Sequence, residues 1–163
     1  LRENEWNISL DPYLIEGQNS AEFDLYVNGK DLSIKINGKG EQVKNIKFDG
    51  KNYPSLVLPR QLSNIEKIEI ELGKPEVPCL FSTNSILASC RYFQDNKRMN
   101  LKLKAFASHV NKSIVISPWQ PKDIVLNNET IIEKWDTEAK NGTYDIEIQF
   151  NHQSSEDMIE IQF

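Results

Sequence analysis

The sequence predicts an all-β fold, a two-sheet antiparallel β-sandwich with two pseudo-repeated halves, on three observations. Its apolar stretches alternate with period two, large aliphatic residues on one side and Lys, Glu or Gln on the other, as half-buried strands require. Between them stand Asn-Gly, Asp-Gly and Asn-Asn pairs, which tolerate positive φ and so close hairpins. The order of elements also recurs. Ile46-x-Phe48-Asp49-Gly50 matches Ile124-x-Leu126-Asn127-Asn128, and Ile68-x-Ile70-x-Leu72 matches Ile146-x-Ile148-x-Phe150.

In chain order, Phe23–Val27 and Leu32–Ile36 read as a hairpin across Asn28-Gly29. Ile46–Phe48 follows the Asn37-Gly38 turn and ends at Asp49-Gly50, and Ile68–Leu72 closes a first half of residues 19–73. Pro75 to Pro78 reads as a linker. Within Ser82–Ala88 the hydroxyl residues predict a short helix, capped by Ser82 or Thr83. A second half, 86–163, then opens with a hairpin from Cys90 to Ala107, turning at Asp95-Asn96. Ile114–Ile116, Ile124–Leu126, Ile146–Phe150 and Met158–Ile161 are its further strands, with a turn at Asn141-Gly142. The expected core is Phe23, Leu25, Ile34, Ile36, Ile46, Phe48, Ile68, Ile70, Leu101, Leu103, Ile114, Ile116, Ile124, Leu126, Ile146 and Ile148.

The segment Asn7-Ile8-Ser9-Leu10-Asp11-Pro12-Tyr13-Leu14-Ile15-Glu16-Gly17, running straight into the alternation of Phe23–Val27, resembles a known junction. It is similar to the pattern "strand, Asp-Pro-x-Leu-Pro-x-Gly-Trp, strand" by which (α/α)6-barrel glycoside hydrolases and phosphorylases enter a C-terminal β-sandwich. Ile15 stands where that pattern has proline, and Gln18 where it has tryptophan. The resemblance implies a linker over residues 1–18, a sandwich over 19–163, and an upstream (α/α)6 catalytic domain of the same polypeptide as partner. It carries over no catalytic residue, because the acid and base of those enzymes lie on loops of the barrel. The expected function is therefore that of a non-catalytic accessory domain, docking on the barrel through Trp6 and Tyr13. Leu1 in place of Met, with no signal-peptide pattern, fits a fragment of a longer chain.

Composition excludes several other classes. A length of 163 residues with 39% hydrophobic and 26% charged residues suits one globular domain, and no apolar run spans a bilayer. A net charge of -5 argues against nucleic-acid or anionic-membrane partners. The lysines at 30, 35, 39, 44, 47 and 51 interleave with apolar residues and read as the wet faces of strands. Two histidines, His109 and His152, have no metal-binding spacing, so neither a metal nor another cofactor is expected. Gly38-Lys39-Gly40 lacks the ending of a phosphate-binding loop. Asp11, Glu16, Glu69 and Glu71 read as turn and solvent-face carboxylates. Cys79 and Cys90 are too sparse to mark an oxidising compartment, and whether they are bridged is left open. The sequons at Asn7, Asn111, Asn128 and Asn141 read as coincidence in an Asn-rich chain.

Aromatics supply the one binding signal. Trp119 in Ser117-Pro118-Trp119-Gln120-Pro121 sits on a turn stiffened by two prolines, where its indole can stack on a sugar while Gln120 and Asn111 bond hydroxyls. An oligosaccharide is the second expected partner on that reading, which makes the chain an autonomous carbohydrate-binding module. The same Trp119 also suits a cover over the open end of the sandwich, and Trp135 a core or lid position. A third alternative is an extracellular interaction sandwich without sugar chemistry.

Overall fold

The computed structural model describes residues 2–3, 7–27, 29–59, 65–106, 108–128, 130–131 and 135–163. They form strands and turns, with no helix among them. In chain order the strands are β1 (Arg2–Glu3), β2 (Asn7–Ser9), β3 (Ser20–Val27), β4 (Lys30–Gly38), β5 (Val43–Phe48), β6 (Lys51–Asn52), β7 (Val57–Pro59), β8 (Lys67–Leu72) and β9 (Cys79–Thr83). There follow β10 (Ile86–Phe93), β11 (Arg98–Lys104), β12 (Val110–Ser117), β13 (Asp123–Leu126), β14 (Thr130–Ile131), β15 (Trp135–Lys140), β16 (Thr143–Asn151) and β17 (Glu156–Gln162). The fold is all-β, as the alternation predicts, with sheets packed against one another.

In the first half a five-stranded sheet, β3-β4-β8-β5-β6, faces the three-stranded β1-β2-β7. Leu32, Ile34, Ile36, Ile46, Phe48, Ile68, Ile70 and Leu72 point inward from the larger sheet and meet Ile8, Leu10, Leu56 and Leu58. The second half pairs β10-β11-β17-β13-β14 with β15-β16-β12-β9. Leu87, Met99, Leu101, Leu103, Ile124, Leu126, Ile159 and Ile161 there meet Leu80, Val115, Ile146 and Ile148. Each fully buried Leu or Ile contributes about 1.5–3 kcal/mol by leaving water.

The halves are fused along one seam. Leu56 and Leu58 enter the first core while Val57, pointing the other way, enters the second. Leu56 N–H donates to the Leu80 carbonyl and Leu80 N–H to the Pro54 carbonyl, each at 2.9 Å.

The turn chemistry is as expected at Asp49, Asn127, Asn128 and Asn141, all with positive φ. Asn28 lies outside the described residues. Asn37-Gly38 is no hairpin, because β8 lies between β4 and β5 and pairs with β4 in parallel. Gly38, at φ +103, lets β4 approach β8 so closely that a Cβ would fall 2.2 Å from the Leu72 carbonyl oxygen.

Three further expectations are corrected. Ser82–Ala88 is strand, bend and strand rather than helix. Its polar residues bond across the sheet instead of capping: Asn84 donates to the Val110 carbonyl at 3.0 Å and accepts from Lys112 N–H at 2.7 Å. Phe23 is 42% exposed and Leu25 only half-buried, since edge strand β3 overhangs the smaller sheet. Ile114 and Ile116 are half-buried on the outer side of β12, whose inward residues are Asn111, Ser113, Val115 and Ser117. The repeat is shifted too. By place in the sheet, β8 corresponds to β17, so Ile68 and Ile70 match Ile159 and Ile161 rather than Ile146 and Ile148.

Candidate functional site

The inward polar face of β12 belongs to a buried hydrogen-bonded cluster. Asn111 Oδ1 accepts from Ser85 Oγ at 2.9 Å and Ser113 Oγ at 3.1 Å, while its Nδ2 donates to the Ile148 carbonyl at 3.3 Å. Ser113 Oγ lies 2.8 Å from Thr83 Oγ1. Beyond Ser85 the chain of bonds continues to His152, whose Nε2 is 2.9 Å from Ser85 Oγ, and through His152 Nδ1 to Asp157 Oδ2 at 2.8 Å. Asp157 also accepts from Asn127 Nδ2 and Ser154 Oγ, both at 2.8 Å, and from Gln153 N–H at 2.9 Å. β16 ends just before His152 and β17 carries Asp157, so one tight turn sets this pair, whereas Ser85 comes from the bend between β9 and β10, which joins the same two sheets 67 residues earlier.

Burial lowers the His152 pKa, and the Asp157 hydrogen bond and charge offset that only in part. For Asp157 burial pulls upward, but the bonds from Asn127, Ser154 and the Gln153 and Ser154 amides outweigh it and hold the carboxyl below its usual range. With His152 neutral, Nδ1–H donates to the carboxylate and Nε2 is left as an acceptor.

Serine, histidine and aspartate stand here in the order of a hydrolytic triad, yet the surroundings are those of a brace. Ser85 is 1% exposed, His152 3% and Asp157 0%. The single Ser85 hydroxyl proton faces two acceptors, His152 Nε2 and Asn111 Oδ1. The nearby amides are already spent: Ser85 N–H donates to Thr83 Oγ1 at 3.2 Å and Leu87 N–H to Asn7 Oδ1 at 3.0 Å. Neither is left to stabilise an oxyanion. Sequence reasoning missed the cluster because its members approach from separated strands; the short His152-to-Asp157 interval was the only local signal.

The expected sugar site is not assembled. Trp119 is partly buried, its ring 6.3 Å from both Tyr92 and Phe163, with Lys97 Nζ 4.6 Å from its centroid. It covers the end of the second core, with exposed Gln120 beside it. Asn111 sits at the other end of β12 and is fully buried. Buried Asn7 and Asn111 are also closed to glycosylation in the folded chain, unlike exposed Asn128 and Asn141. Of the expected docking residues, Tyr13 is 74% exposed, and Trp6 lies outside the described residues. Cys79 and Cys90 are free and buried.

A cleft of about 440 Å³ separates the halves, between β5 and the end of β10. Tyr53, stacked on Phe48 with centroids 4.1 Å apart, lies in it beside Cys79 and Cys90. Among the described residues no group of three or more His, Cys, Asp or Glu side chains is placed to hold a metal ion. Comparison with known proteins gave no matching family model, no matching curated protein and no matching solved structure.

Proposed function

We propose that this chain is a non-catalytic accessory domain of a carbohydrate-active enzyme, a glycoside hydrolase or phosphorylase, that packs against a helical catalytic barrel. The observation that carries the reading is where the exposed apolar side chains fall. Tyr13 is 74%, Ile15 66%, Phe23 42% and Tyr26 76% exposed, half of the large apolar residues left open among those described. All four lie within or just after the segment that resembles the barrel junction. Leu14 packs into the first core and holds its two neighbours outward. Phe23 shares a face with its cross-strand partner Ile34, which is buried. Phe23 and Tyr26 leave opposite faces of β3, so the open side chains flank the edge strand on both sides, and their concentration in this one stretch supports a contact with another body. The spent amides and shared hydroxyl around Ser85 weigh against an enzymatic reading.

The test is to express the chain with and without the polypeptide encoded upstream and to follow amide exchange over residues 13–27. Protection supplied by an upstream helical domain, and lost in Tyr13→Ser/Phe23→Ser while the isolated chain keeps its stability, is the expected result. An upstream sequence with no helical catalytic domain, or unchanged exchange when one is present, overturns the proposal.

A further inference from the structure

The cleft between the halves falls in the size range of small-ligand sites. Its floor is rigid, because Tyr53 is fixed by its stack on Phe48 and backs onto both cores. Phe93 stands at the rim, 38% exposed, with the Arg98 guanidinium 5.0 Å from its centroid. Asn45, Asn52, Gln94 and Arg91 also line the cleft, and none of their side chains makes a hydrogen bond or ion pair with a described residue.

The other cation in the cleft is accounted for. Lys44 Nζ is held by Glu71 at 2.8 Å and Glu76 at 3.5 Å, and the Glu71 bond and charge raise its pKa. Among the described residues Arg91 is therefore left as a guanidinium without an acid, in a chain whose net charge is -5. Aromatic rings, neutral amides and one unpaired guanidinium each select a part of the same kind of molecule. The C–H face of a pyranose stacks on an aromatic ring, its hydroxyls exchange hydrogen bonds with Asn and Gln, and a ring carboxylate takes the planar fork of Arg. A phosphate, with its greater charge, would meet the Glu76 carboxylate beside a single free cation.

We propose that the cleft between the two halves binds a uronic-acid-bearing saccharide, with Arg91 on the carboxylate, Tyr53 and Phe93 against the sugar ring, and Asn45, Asn52 and Gln94 on its hydroxyls. The site uses neither Trp119 nor the apolar face at Tyr13, so it stands or falls independently of the docking role.

The test is an NMR titration of the isotope-labelled chain with trigalacturonate, with maltotriose as the neutral control, repeated on Arg91→Met and Phe93→Ala. Arg91 and Phe93 are exposed, so both variants should fold, and thermal melts check this. Saturable shifts at cleft residues, weakened by added salt and reduced about tenfold or more in affinity by Arg91→Met, are expected, since a hydrogen bond to a charged group is worth about 1.5–3 kcal/mol. No saturable shift at millimolar trigalacturonate, shifts elsewhere, equal response to maltotriose, or an unchanged affinity in Arg91→Met would each overturn it.

Discussion

Replacing Asp157 by alanine should be among the most destabilising single changes in this chain. The carboxylate is fully buried and accepts from His152 Nδ1–H, Asn127 Nδ2, Ser154 Oγ and the Gln153 amide. Alanine removes every acceptor and fills none of the space, leaving several donors stranded. Each buried donor left unsatisfied costs about 1–3 kcal/mol, so stranding two or more gives a loss of about 3–5 kcal/mol, against a total stability of about 5–15 kcal/mol for an ordinary domain. At about 2–4 °C per kcal/mol for a chain of this size, Tm should fall by roughly 6–20 °C. The same cluster sets a pH dependence. His152 has its folded pKa below the ordinary value, so its contribution is complete above about 6.5 and is lost as the unfolded chain takes a proton that the fold refuses. Asp157 is depressed as well, so a second loss follows below about pH 4. Urea denaturation of wild type and Asp157→Ala from pH 7.5 to 5 measures both the brace and the histidine's share of the pH dependence. A variant within about 1 kcal/mol of wild type would refute the brace. So would a wild-type stability that holds level or rises as pH drops from 7 to 5.5, since His152 would then take its proton at least as readily in the folded chain as in the unfolded one.

Three other outcomes are expected. Gly38→Ala should lose about 1–3 kcal/mol, read as a lower denaturant midpoint, because the new Cβ meets the Leu72 backbone and a positive φ cannot be relieved by turning a side chain. Native Cys79 and Cys90 should resist a thiol reagent until denaturant is added, since both are buried and burial pushes the Cys79 thiol up to about 12; rapid native labelling would contradict that. A fluorophosphonate probe should leave Ser85 unmodified, and labelling abolished by Ser85→Ala would restore a catalytic role to the Ser85-His152-Asp157 chain.

β12 shows where the sequence was legible and where it was not. Its alternation correctly announces a strand, but period two is blind to which face turns inward when both carry buriable residues. Elsewhere the charged residues decide the matter: Lys35 or Glu69 cannot be buried unpaired, so Ile34 and Ile70 must be. Along β12 the alternate set is Asn111, Ser113, Val115 and Ser117, which can go inward once bonded. Their partners Thr83 and Ser85, and His152 beyond Ser85, come from distant segments, which no local window contains. Ile116 on the outer face then lines a crevice with Val43, Leu56 and Phe81 at the junction of the halves. Trp119 had two readings from the sequence, a cover over the open end of the sandwich and a sugar platform. A proline-stiffened turn predicts a fixed indole in either case, and the side chain packs as a cover, against Tyr92 and Phe163 at the end of the second core.

The repeat failed by a single strand, and the reason is one of parity. In space the two large sheets share an order, hairpin, closing strand, hairpin: β3-β4-β8-β5-β6 and β10-β11-β17-β13-β14. From β4 the chain proceeds directly to β5, which therefore runs opposite to β4; both β5 and β8 keep their antiparallel pairing, and β8 comes out parallel to β4. From β11 the chain first crosses to the other sheet through β12, so β13 runs in the same direction as β11 and β17 is antiparallel to it. One added crossing thus inverts β13 and β17 relative to β5 and β8 while leaving the strand order unchanged. Alternating apolar residues record a strand's faces but not its direction, so β16, inserted with β15 beside β12, was as good a match to β8 as β17. The inserted strands are also what give the second half its own opposing sheet, whereas the first half covers its core with its own short β7 and with β2 from the segment that precedes it. That thin cover leaves Phe23 exposed on edge strand β3, in the same stretch of chain as the segment that resembles a barrel junction.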